Sequence, residues 1–548
     1  MTTQLRKAMT EPKSFCTMCT HACKHEMLGF LLSLSLHHRG ANVVVYCDTI
    51  TRNYILESTP QPDLNIDWVI ELDKWSHLDR GAMERAGTWD EFMQIKTHAL
   101  EYAINKYGDS LCIDSDTIIL DKLLVEDPTK QLGVSPQFIT KEHVDRTGYY
   151  NGGMLWSSAP TLPSRWRANC VNSRYYEQAA IESLVKEFTF FEYGDHYNLQ
   201  TWRFPYGVDS AQTIAGKLVP RTGRLFYGDR HLKFVHTHFR SPQFGNVNNL
   251  FIQKMASAGL ARELAIIMRV INDKWTIKIP RQPQPFPYEH SNDAFRELVR
   301  MLAIKNKDIQ VIEANDRHCW LCGGIVLYDR DNATRWMDRE VAGGIMALVG
   351  NCDLTSSEDA GIFSKVGVPA KPWIYWPRNP SVVEKKMEPT VAYSDRQHRV
   401  TFIGNMENAV QRSHRENLGW EAVVDDYTCT KGLTHKFTQE EYLDHLRNAK
   451  FGLCLRGYGS KCHREVELMA MGTVPIVTPS VCVSSYADPP VEGVHFLRVS
   501  APEDLHGVVN SVSEERWREM SKACVEWYKR NVHSENSWNT TIKTILYS

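Results

Sequence analysis

The stretch Leu111-Cys112-Ile113-Asp114-Ser115-Asp116 decides how the first half of this chain is read. A short apolar run enters two aspartates spaced two apart, and side chains two apart on a strand point the same way. Both carboxylates therefore leave one side of a strand at its C-terminal edge, where open α/β sheets bind ligands. Two like charges converging on one spot repel unless a cation lies between or beside them. A hard divalent ion with oxygen ligands, bridging to a diphosphate, meets that need. A solvated strand end is the plain alternative.

Outward from this motif the chain alternates strand and helix signals. Residues 15–20, 42–47 and 67–72 read as strands, and 24–38 as a helix. Across 89–107, Phe92, Ile95, Ala99, Leu100, Ala103 and Ile104 repeat at helical spacing. Continuous apolar strands alternating with helices indicate a mostly parallel sheet covered by helices.

Three downstream features add chemistry. Tyr149 to Trp156 (YYNGGMLW) places Gly152 and Gly153 before an apolar strand, which allows close backbone approach to a ligand. Tyr176-Glu177-Gln178 opens a helical segment. Residues 234–239 (FVHTHF) read as a strand whose alternate positions, His236 and His238, project to one side.

Composition sets the outer limits. The chain has 548 residues, more than one hydrophobic core organises, so several domains are expected. Apolar residues make up 43% and charged residues 23%, ordinary globular usage. Lys plus Arg number 63 against 65 Asp plus Glu, which gives no reason to expect nucleic-acid binding. The most apolar stretch, 27–36, is about half of what a bilayer span needs, so no membrane span is expected. The opening MTTQLRKAMTEPKSF has no apolar core before a small-residue cleavage site, so a cytoplasmic, reducing location is expected. The Cys-x-x-Cys pairs Cys16/Cys19 and Cys319/Cys322 lie too far apart for a zinc ribbon.

The segment 279–290 (IPRQPQPFPYEH) carries four prolines in twelve residues and reads as a stiff connector, braced by helical residues 245–278. Strand signals resume at 309–314, 325–328 and 352–355, then at 399–405, 422–424, 451–455 and 474–477. The block 451–477 (FGLCLRGYGSKCHREVELMAMGTVPIV) runs a buried strand into Arg456-Gly457-Tyr458-Gly459 and then a helix. Glycines after a strand, a helix N-terminus, and Arg456, Lys461, His463 and Arg464 together make an anion pocket. Solvated cations on an ordinary strand–turn–helix are the alternative.

The order of opening strand, Lys-bearing helix, Asp-x-Asp, Asn-Gly-Gly, Glu-Gln and late His strand resembles GT-A nucleotide-sugar glycosyltransferases over residues 15–245. The resemblance implies that Asp116 holds Mn²⁺ or Mg²⁺ and that Asp114 meets the metal or the nucleotide ribose. It makes His236 the third ligand, with His238 competing for that place. A neutral imidazole among oxygen ligands favours Mn²⁺. Thr17, Asp48, Lys96, Ser115, Asn151 and Gly152 would contact the donor, and Glu177 and Gln178 the acceptor side. Lys96 reads equally as a surface lysine with its stem along apolar neighbours, and Asp48 as a helix cap. An inverting reaction needs a base, for which Glu177 and Asp195 are the candidates. A retaining one does not, and Gln178 would then face the anomeric carbon.

The 451–477 block resembles the donor half of GT-B glycosyltransferases of the exostosin type, with Arg464, Glu467, Gly472 and Pro475 at that pattern's positions. By that resemblance Arg456 and Arg464 bind diphosphate with Gly457 and His463 nearby, and Glu467 binds ribose hydroxyls. Gly404 would lie in the first β–α turn, Arg412 on its phosphate side, and Glu358 would be a candidate base. No metal is implied in this half.

The expected organisation is α/β throughout. A GT-A domain would span 1–245 and a helical brace with its connector 246–290. A compact GT-B-like pair would follow, with an acceptor lobe at 291–395 and a donor lobe at 396–548. The expected activity is a bifunctional glycosyltransferase adding sugars from nucleotide-sugar donors to a growing glycan. The alternative is a single-activity enzyme whose C-terminal half only binds glycan or a partner protein.

Overall fold

A computed structural model describes residues 9–281, 289–315, 319–328, 344–350, 352–374, 376–431 and 436–548. The chain divides into two compact units, Met1–Lys274 and Trp275–Ser548.

In the first unit a seven-stranded sheet runs in the order Asn65–Ile70, Asn42–Cys47, Phe15–Cys19, Ser110–Ile113, Tyr150–Ser157, Leu132–Pro136, Phe190–Glu192. The first four strands are mutually parallel. Tyr150–Ser157 runs antiparallel to both of its neighbours and Phe190–Glu192 parallel to Leu132–Pro136, so the sheet is mostly parallel, as expected, with one reversed strand. Val43, Val44 and Val45 are fully buried, as expected of β-branched residues on a strand covered on both faces. Helix Trp89–Tyr107 packs its apolar stripe onto this sheet. Helix Ala261–Asn272 lies against helix Lys24–His37 at Gly29, where a Cβ would come within 2.5 Å of Val270. Helices 245–258 and 261–272 thus belong to the first unit.

A second, three-stranded sheet positions the site. Phe234–His236 pairs antiparallel with Thr117–Ile119 and parallel with Asn198–Gln200. Thr117 follows Asp116 directly and lies opposite His236. The expected strand 234–239 is therefore shorter. It ends at His236, and His238 lies beyond it with a half-exposed side chain.

The second unit begins with a strand, Trp275–Pro280, where a helical brace and connector were expected. It pairs in parallel with Ile309–Ala314; residues 282–288 of the expected connector lie outside the described residues. A six-stranded mixed sheet holds these two strands with Cys319–Leu321, Ile325–Tyr328, Met346–Val349 and Ala370–Pro372. A five-stranded, all-parallel sheet follows in the order Asp426–Lys431, His398–Met406, Ala449–Cys454, Val474–Val477, Leu497–Arg498. Two expected strands are absent. Residues 352–355 form a turn in which Asp353 accepts from the Thr355 N–H and hydroxyl, a local bond that competes with strand pairing. At 422–424 the chain instead completes a short helix, Trp420–Val423. Asp425 then takes the N–H groups of Arg399 and Val400, so pairing starts at Asp426. Among the described residues no helix is long and apolar enough to cross a membrane.

Candidate active site and metal centre

Asp114 and Asp116 stand at the end of strand Ser110–Ile113, and register with Thr117 delivers His236 to them. One ligand atom from each of the three lies within 4.8 Å of the others. His236 Nε2 is 3.2 Å from Asp116 Oδ1 and 3.8 Å from Asp114 Oδ2. His238 Nε2 is 3.3 Å from Asp116 Oδ2, outside the three-residue group. Two carboxylates and one imidazole form a donor set suited to a small divalent cation. Space is kept for it. A Cβ on Gly153 would meet His236 Cε1 at 2.4 Å and Asp114 Oδ2 at 2.6 Å. The residues present therefore fit Mn²⁺ or Mg²⁺.

Burial pushes the Asp116 carboxyl up, but His236 and His238 outweigh it and hold that carboxyl well below the usual range. Burial pushes His236 down, and Asp116 reverses this to a net rise.

Lys96 is not a surface lysine. Its side chain is only 5% exposed, and Nζ lies 2.7 Å from Asp114 Oδ1 and 2.9 Å from Glu177 Oε1. It also donates to the Gly152 carbonyl at 3.3 Å. Burial lowers its pKa, and the two carboxylates more than restore it, so the ammonium stays charged. Glu177 is raised by burial, which Lys96 opposes. A Cβ on Gly152 would meet Glu177 Oε1 at 2.7 Å, so both glycines of the Asn-Gly-Gly motif stand where a side chain has no room.

Asn151 and Gln178 join in an amide network. Asn151 Nδ2 and the Gly152 N–H donate to Gln178 Oε1, each at 3.2 Å. Ser115 is buried beside Cys19. Thr17, in the strand Phe15–Cys19, is buried with its hydroxyl unpartnered among the described residues. Asp48 is the cap of helix Thr49–Glu57, accepting from the N–H groups of Thr51 and His21 and from the Ser76 hydroxyl. Burial raises its carboxyl, and these bonds bring it below the ordinary value. Asp195 is ion-paired with Arg230.

In the second unit, Arg464 and Arg415 meet at the edge of the parallel sheet. Arg464 donates to the Ile403 carbonyl through Nη2 at 2.7 Å. Arg415 donates to the carbonyls of Asn405, Leu455 and Arg456. Gly404 leaves room for both: a Cβ there would lie 2.8 Å from Arg464 Nη2 and 3.2 Å from Arg415 Nη1. Neither arginine makes an ion pair among the described residues. Burial and the neighbouring Arg464 pull Arg415 down to about 10. Arg412, the expected phosphate-side residue, is exposed; Arg415, three positions on at the last position of helix Ala409–Arg415, is the one turned inward. Arg456 lends its carbonyl to Arg415, and its own Nε is buried without a partner among the described residues.

Gly457, His463 and Glu467 are packed or bonded. A Cβ on Gly457 would meet Cys462 Sγ at 2.5 Å. His463 Nδ1 lies 2.7 Å from the Trp376 carbonyl oxygen. Glu467 is buried and accepts from the Arg378 N–H and the Tyr442 hydroxyl, each at 2.9 Å. Glu358 is exposed in the first turn of helix Ser357–Val366.

Sequence reasoning missed Asn198, which contacts both Asn151 and His236, and Arg415. Asn198 lies in a three-residue strand with no motif of its own. Arg415 ends a helix that starts at a capping box, and nothing in its local sequence separates it from the exposed Arg412.

No protein-family model matches the chain, and no curated protein matches it. Among solved structures, mouse xyloside xylosyltransferase 1 in its apo form is 13% identical, covering 42% of this chain and 98% of that one, with a TM-score of 0.27. The galactosyltransferase LgtC with donor and acceptor sugar analogues is 11% identical over 43% of this chain and 95% of that one, at 0.28. The glycosyltransferase GlyE of Streptococcus pneumoniae TIGR4 is 9% identical over 92% and 98%, at 0.29.

Proposed function

We propose that the first unit transfers a glycosyl group from a nucleotide-sugar donor to an acceptor hydroxyl, with Asp114, Asp116 and His236 holding Mn²⁺ or Mg²⁺. The observation that carries this reading is the convergence of those three side chains beside Gly153, at the C-terminal edge of the central strand. A divalent cation there supplies neutralisation of charge growing on the leaving diphosphate. Lys96 holds Asp114 in place and balances Glu177. The amide network of Asn151 and Gln178 shapes the floor on which the donor sugar lies. The test is release of nucleoside diphosphate from a panel of sugar nucleotides, with and without Mn²⁺ and acceptor. Release that requires Mn²⁺ and rises with an acceptor supports transfer; release indifferent to every acceptor favours hydrolysis.

A second donor site in the second unit, in a GT-B-like arrangement without metal, is supported by one feature. The buried guanidinium groups of Arg415 and Arg464 lie near each other without an ion-pair partner, and an anion would satisfy both. On this reading the protein is bifunctional and lengthens a glycan in two steps. Two donors consumed, with Asp116→Ala abolishing one and Arg464→Ala the other, support it. One donor only, untouched by Arg464→Ala, leaves the second unit as a binding domain.

A further inference from the structure

Both ring nitrogens of His236 face oxygens: Nε2 lies 3.2 Å from Asp116 Oδ1, and a chain of side-chain amides decides the state of Nδ1. Backbone groups, of fixed polarity, set the first link. The Thr147 carbonyl accepts from the Gln178 side chain at 2.9 Å, so that end of Gln178 is the NH₂. The other end is then oxygen, and it accepts the Gly152 N–H and the Asn151 NH₂. Asn151 therefore presents its oxygen on the far side, where the Gly153 N–H donates to it at 3.1 Å. The same oxygen receives the Asn198 NH₂ at 2.9 Å, which also reaches Ser135 Oγ at 3.3 Å. Asn198 is left with its oxygen toward His236 Nδ1, 3.3 Å away. An oxygen there only accepts, so Nδ1 must be the donor.

We infer that Gln178, Asn151 and Asn198 form an amide relay that keeps a proton on His236 Nδ1, so that Nε2 is the nitrogen left to give up its proton to Asp116 or to take a metal, with Asn198 as the positioning residue. The relay rests on the metal-site reading above for its purpose, but not for its geometry. Asn198 is fully buried and His236 nearly so, so water does not replace a lost partner without cost. Trp202 packs its ring against His236 with centroids 4.8 Å apart, which restrains the ring plane while Asn198 sets its polarity. Arg203 in turn donates to the Asn198 carbonyl and to Gln200, anchoring the strand that carries the relay's last member. Ligating histidines commonly depend on such an outer partner, and losing it typically weakens metal affinity 10–100-fold.

Two measurements test this. In ¹⁵N-histidine NMR of the whole protein without metal, His236 is assigned by its loss in His236→Gln. A protonated Nδ1 is expected, with or without a proton on Nε2, and a ring protonated on Nε2 alone overturns the inference. Mn²⁺ titration followed by electron paramagnetic resonance then compares variants. Asn198→Ala and Asn198→Leu, the latter filling the space but offering no acceptor to Nδ1, are each expected to weaken Mn²⁺ binding by about 10–100-fold. A purely structural role predicts that Asn198→Leu keeps wild-type binding and overturns the inference, as does unchanged binding in Asn198→Ala. If Asn198→Ala does not fold, the wild-type NMR result decides alone. Wild-type protein that carries the Nδ1 proton but binds no Mn²⁺ supports the relay and sinks only the metal reading.

Discussion

Lys96 Nζ lies 2.7 Å from Asp114 Oδ1, so the first aspartate of the Asp-x-Asp motif is tied to a buried cation on the preceding helix. Glu177 completes the group from the other side, 2.9 Å from the same nitrogen. Lys96→Met leaves two carboxylates facing each other without their cation. Removing one partner of a buried ion pair costs about 3–5 kcal/mol, so a clear drop in the denaturation midpoint of the first unit is expected. Adding Glu177→Gln to Lys96→Met should recover part of it, and strict additivity in that double-mutant cycle would contradict the coupling.

Gly153 is expected to tolerate no side chain. Gly153→Ala drives a methyl group into Asp114 and His236 and should reduce transferase turnover by about 10²-fold, the scale of a misplacement near 1 Å. Gly216→Ala, where a Cβ meets nothing within 4 Å, serves as the control and should retain wild-type rates.

Arg415 offers a check on the second unit that leaves the charge intact. Arg415→Lys keeps a cation but loses the planar fork. Hydrogen bonds to charged groups contribute about 1.5–3 kcal/mol, so nucleoside diphosphate binding should weaken by about 10–100-fold, measured calorimetrically with Asp116→Ala in the background. Arg412→Lys, at an exposed position, should bind as the parent does.

Glu465 predicts a pH dependence. It is buried in helix His463–Ala470, with Oε2 accepting the Cys462 N–H and Oε1 unpartnered among the described residues. Burial raises its carboxyl from 4.5 to about 7, against the opposing effect of Arg464. Between those values the folded state binds more protons than the unfolded state, so stability falls as pH rises across this window. The unfolding free energy of wild type relative to Glu465→Gln should therefore decline between pH 4.5 and 7 and level off above. A flat difference across that range would place the carboxyl at its ordinary value.

The α/β character, the strand entering Asp114 and the apolar stripe of helix Trp89–Tyr107 could all be read along the chain, because strand alternation and helical spacing are local signals. The Asp-x-Asp pair and the room kept by Asn-Gly-Gly belong to the same class. Pairing between distant segments decided the rest. Phe234–His236 stops two residues short of His238, and its partners, Thr117–Ile119 and Asn198–Gln200, are only three residues long. That alone separates the histidine inside the three-residue group from the one beside it. Lys96 looks identical as a surface residue or a buried one until Glu177 arrives from another helix. Asn198, Arg415 and the start of the second unit at Trp275 were invisible for the same reason: each is defined by a neighbour far away in sequence, and no local pattern encodes a non-local contact.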